Sequence, residues 1–321
     1  LWYGHGFLFL LLASGSGRGD QVVTLFIAGG RTCQERFKIL VLKGVVMSAK
    51  LSLGYSPCPN DTFIFHGLAS GAVLWPGGLD ITLADVEELN GLAASGLLDV
   101  VKVSAAAAVG VLNDYVLLRA GGAMGYGVGP ILVTRRAGGL GSLNGKIIAI
   151  PGRKTTANML LGLCCREAGV SVTLKEMVFD EVMPAVVSGE VDAGVVIHEG
   201  RFTFEGFGLT RLLDLGAWWE GKTGLPIPLG AIAIRRSLGL DIARAMNDAI
   251  RRSVLNARKN PEGAWAYIKE HAQEMDDAVI REHIETFVTD YSLDIGEVGE
   301  KAVTRLFSET GCSSANPFIS V

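Results

Sequence analysis

The stretches "GGAMGYGVGPILVTRR", residues 121–136, and "GLPIPLGAIAIRR", residues 224–236, share one plan: a Gly- or Pro-rich run, then an apolar strand ending in two arginines. Each follows a segment in which strand and helix periodicities alternate. The first segment reads strand 50–55, polar turn, helix from about 61, strand 79–83, helix from about 86, strand 99–103. The second reads strand 146–150, polar turn, helix from about 156, strand near 174–179, helix 181–188, and the strand of "DAGVVIH", residues 192–198. From Ser56 to Ser104 is 48 positions and from Pro151 to His198 is 47, by subtraction of their numbers. Two βαβαβ halves of matching length, joined by two crossings, predict an α/β chain in a two-lobe, venus-flytrap arrangement with mostly parallel sheets. The expected division is 47–134, rejoined by 229–321, for one lobe and 135–228 for the other. Helical patterns beginning near 240, 261, 276 and 295 pack outside the sheets.

The 321 residues are 49% hydrophobic and carry 29 Lys plus Arg against 33 Asp plus Glu, a net charge of -4. With no basic stripe interleaved with aromatics, this composition argues against nucleic acid as a partner. Five cysteines, at 33, 58, 164, 165 and 312, show no C-x-x-C and no metal-like cluster, and read as free thiols of a reducing compartment. Residues 1–46 precede the first methionine, Met47. Their apolar run is too short to span a membrane and lacks the basic start of a signal peptide. The expectation is that translation starts at Met47 and that 1–46 is extra, loosely folded sequence; a degenerate export signal is the rival. A chain beginning at Met47 should then keep full solubility and activity, and a large loss of either on truncation would make 1–46 part of the fold.

In open parallel sheets ligands sit beyond the carboxyl ends of the strands. The turns at 56–62, 102–104, 151–156 and 198–201 are therefore expected to face one interlobe cleft. In "PGRKTTANMLL", residues 151–161, Thr155 and Thr156 open an apolar helix whose end suits a carboxylate or phosphate, beside the plainer reading of a Thr cap. "KVSAAAA" poses the same alternatives for Lys102 and Ser104. His198 follows an apolar strand and precedes Glu199, as a general base or as a structural hydrogen bonder. Pro57 and Pro59 stiffen the first turn, and Asn60 or Asp61 is expected to cap a helix beginning at Thr62. Cys58 has no histidine adjacent in sequence, which favours a wall residue over a nucleophile. His66, His271 and His283 lie on helical stretches without ligand spacing and read as surface or packing residues. "GAWWEGKT", residues 216–223, formally fits a phosphate-binding loop, but Pro226 and Pro228 block the helix that must follow. No motif for a nucleotide, flavin or metal is found.

Six ordered motifs then carry a resemblance: "GYSPCPNDTFIFHGL", "VKVSAAA", "GYGVGPILV", "PGRKTTANMLL", "GVVIHEGRFTF" and "DLGAWWEGKTGLPIPLGAI". From about Lys50 to the last helix the chain resembles the 1,4-dihydroxy-6-naphthoate synthases of the futalosine route to menaquinone. The resemblance implies a type II periplasmic-binding-protein-like fold and a cytoplasmic, cofactor-free enzyme. It implies a lyase that takes cyclic dehypoxanthinyl futalosine, a carboxylate-bearing small molecule, to the dihydroxynaphthoate and dihydroxyacetone. By motif, substrate contacts fall on Lys102, Val103, Ser104, Thr155 and Thr156, the proton acceptor on His198, and Asn90 near the site. The rival readings are a non-catalytic solute-binding protein of the same fold and a chorismate dehydratase-like sister enzyme. The "SPCPNDTF" turn and the histidine of "IHE" argue against the sister enzyme.

Overall fold

The computed structural model describes residues 8–15, 21–28, 37–39, 50–273, 276–312 and 316–320. Residues 1–50 with Pro76–Gly78 form one unit, and 51–75 with 79–321 the other. In the first unit, where loosely folded chain is expected, strands β1 (Leu8–Gly15), β2 (Gln21–Ala28) and β3 (Phe37–Ile39) form an antiparallel meander. Leu8 is in register with Ala28 and Val23 with Ile39. The rest of that extension, up to and including Met47, lies outside the described residues.

The second unit opens with β4 (Leu51–Tyr55), α1 (Pro59–Ala69), β5 (Leu79–Leu83), α2 (Val86–Ala94), β6 (Val100–Ser104) and the short α3 (Ala105–Ala108). β4 pairs in parallel with both β5 and β6; Leu53 and Tyr55 are fully buried on one face, and on the other Gly54 is pressed by Leu98 and Leu89. α1 begins at Pro59, three residues before the expected Thr62, so neither Asn60 nor Asp61 caps it: its N-cap is Cys58, and Pro59 takes the first helical position, where a missing N–H costs nothing. The helix of the Ala run gives way after Ala108 to a 3₁₀ turn at Val109–Val111. Val and Gly are weaker helix formers than Ala.

After β7 (Tyr115–Leu117) and β8 (Ala123–Gly125), strand β9 (Ile131–Thr134) enters a different sheet. The chain thus changes sheets before Ile131, a few residues ahead of the expected 134/135 division. Next come β10 (Ile147–Ile150), α4 (Thr156–Ala168), β11 (Thr173–Glu176), α5 (Phe179–Ser188), β12 (Ala193–Val196), α6 (Gly200–Thr203), β13 (Thr210–Asp214) and α7 (Leu215–Thr223). This five-stranded sheet runs β11-β10-β12-β9-β13. "GAWWEGKT" is not a loop ahead of a helix but the body of α7, with Trp219 buried and its Nε1 donating to Pro226 O at 3.2 Å.

Strand β14 (Ile227–Arg235) then returns to the first sheet, which runs β5-β4-β6-β14-β7 with β8 also on β14. Both sheets are mixed. The βαβαβ pairings are parallel, while the crossing strands β9 and β14 run antiparallel to their neighbours. The first crossing presses on α7 at two glycines: a Cβ on Gly129 would lie 2.2 Å from Gly216 Cα, so neither position takes a side chain. Four helices follow, α8 (Leu240–Lys259), α9 (Pro261–His271), α10 (Asp277–Phe287) and α11 (Gly296–Ser308). Their starts agree with the amphipathic pattern to within one residue. α8 packs on α1, where Ser253 Oγ donates to Ile64 O at 2.6 Å.

Candidate active site

The turn after β4 brings Ser56, Asn60 and Asp61 to one wall of a cavity of about 720 Å³ of atom-free space, its open mouth included. Lys102, on β6, extends along the same wall, and its Nζ donates to Asp61 Oδ1 at 2.6 Å and to Gly121 O at 3.0 Å. The two side chains are 6% and 4% exposed, so this is a buried ion pair, and Asp61 is further held by Ser56 Oγ at 2.8 Å and Asn60 Nδ2 at 2.9 Å. Lys102 therefore meets the cavity as a neutralised ammonium with a third N–H that has no acceptor among the described residues.

Val103 and Ser104 line the cavity beside it. Asn90 does not. It stands behind Ser104, accepting from Ser104 N at 2.9 Å and donating to Ser104 Oγ at 3.1 Å, which also explains why Ser104 makes no side-chain cap for α3.

The opposite wall begins at the N-terminus of α4. Thr155 Oγ1 accepts from Asn158 N at 3.2 Å and donates to Gly152 O at 2.7 Å. Thr156 Oγ1 accepts from Ala106 N and donates to Leu229 O, both at 3.2 Å. Each hydroxyl proton is committed to the protein, so the free donors at this helix end are the backbone N–H groups of Thr156 and Ala157. Glu87, from α2, reaches across to accept from Lys154 N at 3.2 Å. Its carboxyl is pushed up by burial, against the lowering effect of the bonds from Asn90 and Lys154. It rests against Gly152, where φ is 150° and a Cβ would lie 2.6 Å from Oε2.

His198 lies just past the end of β12 with φ 53°, the one non-glycine residue with positive φ among the described residues. Such a conformation costs roughly 1–3 kcal/mol and is found where a site dictates the backbone. It places the ring on the cavity, with Nε2 3.9 Å from Cys58 Sγ and the ring centroid 5.0 Å from Phe179. Burial, and then the charge of Glu199, push the Cys58 thiol well up, so it stays protonated and is no activated nucleophile. Arg201 completes this wall, donating to Gly129 O and pairing with Asp214 Oδ2 at 2.8 Å.

Sequence reasoning missed His283. It is fully buried on α10, its ring parallel to that of His198 at 6.0 Å and its Nε2 2.9 Å from Asn60 Oδ1. Glu199 points at it rather than at the cavity, Oε2 lying 3.6 Å from Nδ1. Burial first, and then His198, push His283 well below the usual histidine range. The signal was its place between Ile280 and Phe287, on the apolar face of α10.

Solved structures place this architecture. A protein from Archaeoglobus fulgidus matches with a TM-score of 0.78 and 34% identity, over 83% of this chain and 98% of its own. A Candida albicans protein described as exhibiting the generic periplasmic binding protein fold matches with a TM-score of 0.59 at 11% identity, over 85% of this chain and 98% of its own. The fold is that of the two-lobe periplasmic binding proteins. Residues 51–311 match the family model described as "Menaquinone biosynthesis". A Thermus thermophilus protein named 1,4-dihydroxy-6-naphtoate synthase is 52% identical over 81% of this chain and 93% of its own length. The Streptomyces coelicolor protein of the same name is 46% identical over 83% and 95%. The chain belongs to this menaquinone-biosynthesis family of enzymes.

Proposed function

We propose that the chain is a carbon–carbon lyase converting cyclic dehypoxanthinyl futalosine to 1,4-dihydroxy-6-naphthoate and dihydroxyacetone, with His198 as general base. The observation that carries this reading is the strained turn that holds the His198 ring on the cavity, opposite the Lys102 wall. The substrate has an aryl carboxylate, a sugar-derived polyol and a latent carbonyl. The Thr156 and Ala157 N–H groups suit the carboxylate through the helix end. The third Lys102 N–H and the Ser104 hydroxyl suit the polyol. His198 takes the proton whose loss opens the ring and starts a retro-aldol-type cleavage, and aromatisation drives the sequence forward. We place the reaction in the cytoplasm.

Incubating the purified protein with the cyclic futalosine derivative should release the naphthoate and dihydroxyacetone in equal amounts. Tight binding without product would instead support a solute-binding protein. Ala157→Pro tests the carboxylate site, because proline in a first helical turn removes the N–H; as Ala157 is buried, the variant is compared with wild type for fold before its binding is read. It should weaken binding of the acid by about 1.5–3 kcal/mol, the value of a hydrogen bond to a charged group. A methyl ester of the substrate should not respond, and equal sensitivity of acid and ester would put the carboxylate elsewhere.

A further inference from the structure

The polar wall is a chain of hydrogen bonds whose direction is fixed at one end. Lys102 Nζ only donates, and the Asp61 carboxylate paired with it only accepts. Asn60 must then turn its amide nitrogen to Asp61 Oδ1, at 2.9 Å, which leaves its carbonyl oxygen 2.9 Å from His283 Nε2. A carbonyl accepts, so Nε2 carries a proton. We propose that His283, as a neutral imidazole protonated at Nε2, is a positioning residue of this site: it orients Asn60 and, through Asn60, the Asp61–Lys102 pair that faces the substrate.

Two further observations agree. His283 is fully buried against the rings of Phe287 and Phe202, at 4.7 and 6.4 Å between centroids, surroundings that penalise a cation. Its ring lies parallel to His198 at 6.0 Å, so a neutral His283 leaves the base free to accept a proton, whereas a cation there would oppose it. Nδ1 faces Glu199 Oε2 at 3.6 Å, both atoms buried without a hydrogen-bond partner among the described residues, so Nδ1 is the rival place for the proton. The titratable groups about the ring are thus His198 and Glu199 from the turn after β12, Cys58 at the start of α1, and Asp61 beyond Asn60.

The role in positioning rests on the proposed reaction; the place of the proton does not. In protein labelled at the histidine nitrogens, NMR should show His283 as a neutral imidazole with its proton on Nε2 from about pH 6 to about pH 8. A proton on Nδ1 alone, or a cation across that range, overturns the proposal. His283→Gln sets an amide N–H near the place of Nε2–H, while His283→Leu offers no donor. The Gln variant should keep kcat/KM within a few-fold of wild type, and the Leu variant should lose about 10- to 100-fold, as for misplacement of a binding group. Equal losses in two folded variants overturn positioning through Asn60. Should His283→Leu not fold, or should the protein not turn over the futalosine derivative, the spectrum of the wild-type protein still decides where the proton lies.

Discussion

Replacing His198 by Gln lowers kcat by about 10²- to 10⁴-fold, the usual contribution of general-base assistance, and leaves substrate affinity nearly unchanged. Gln keeps the volume and hydrogen-bonding reach of the ring but cannot take a proton. The backbone at 198 is strained for either residue, so the comparison isolates the imidazole. A histidine that merely braced the turn would behave differently, its loss lowering thermal stability and binding together while folded molecules turned over almost normally. Single-turnover kinetics on the folded variant separates these cases. A near wild-type kcat would remove His198 as the base and turn the search to a bound water, since Glu199 points toward His283 and away from the cavity.

Lys102→Met should destabilise the protein by about 3–5 kcal/mol, the cost of leaving one member of a buried ion pair alone. Asp61 would be left without a counter-charge: its side chain is 4% exposed, and its remaining partners, Ser56 and Asn60, are neutral. Equilibrium unfolding in urea measures the effect. Because the penalty belongs to the stranded charge, Lys102→Met combined with Asp61→Asn should recover a large part of the loss. A single variant within about 1 kcal/mol of wild type would class the pair with exposed salt bridges, and would mean that solvent reaches it.

Local chemistry made much of the fold legible. The strand periodicities, the Thr155 cap, and the amphipathic patterns near 240, 261, 276 and 295 are each written within a few neighbouring residues, and the observed elements follow them closely. The same locality explains the errors. Asn60 and Asp61 look like caps by residue type, yet Pro59 lets α1 start earlier and turns Asp61 inward to a lysine 41 positions away. Thr155 and Thr156 open α4 as read, but the partners of the Thr156 hydroxyl, Ala106 and Leu229, lie on other elements 50 and 73 positions away. Asn60 and His283 are separated by 223 positions. No spacing rule spans such distances, so the turns that reach the cavity could be named while the state of each side chain could not.

The order of elements along the chain also sets when, during synthesis, the site can come into being. The strands of both sheets are complete by Arg235, so the framework is available for folding while later sequence is still being added. α10, with His283 and Phe287, arrives only afterwards. A nascent chain halted between α8 and α10 holds every strand and His198 itself, yet Asn60 has no His283 to face and the cavity lacks its Phe287 wall. Competence thus comes with the last helices, which makes the C-terminal part of the chain a checkpoint on complete translation as well as a cover for the sheets.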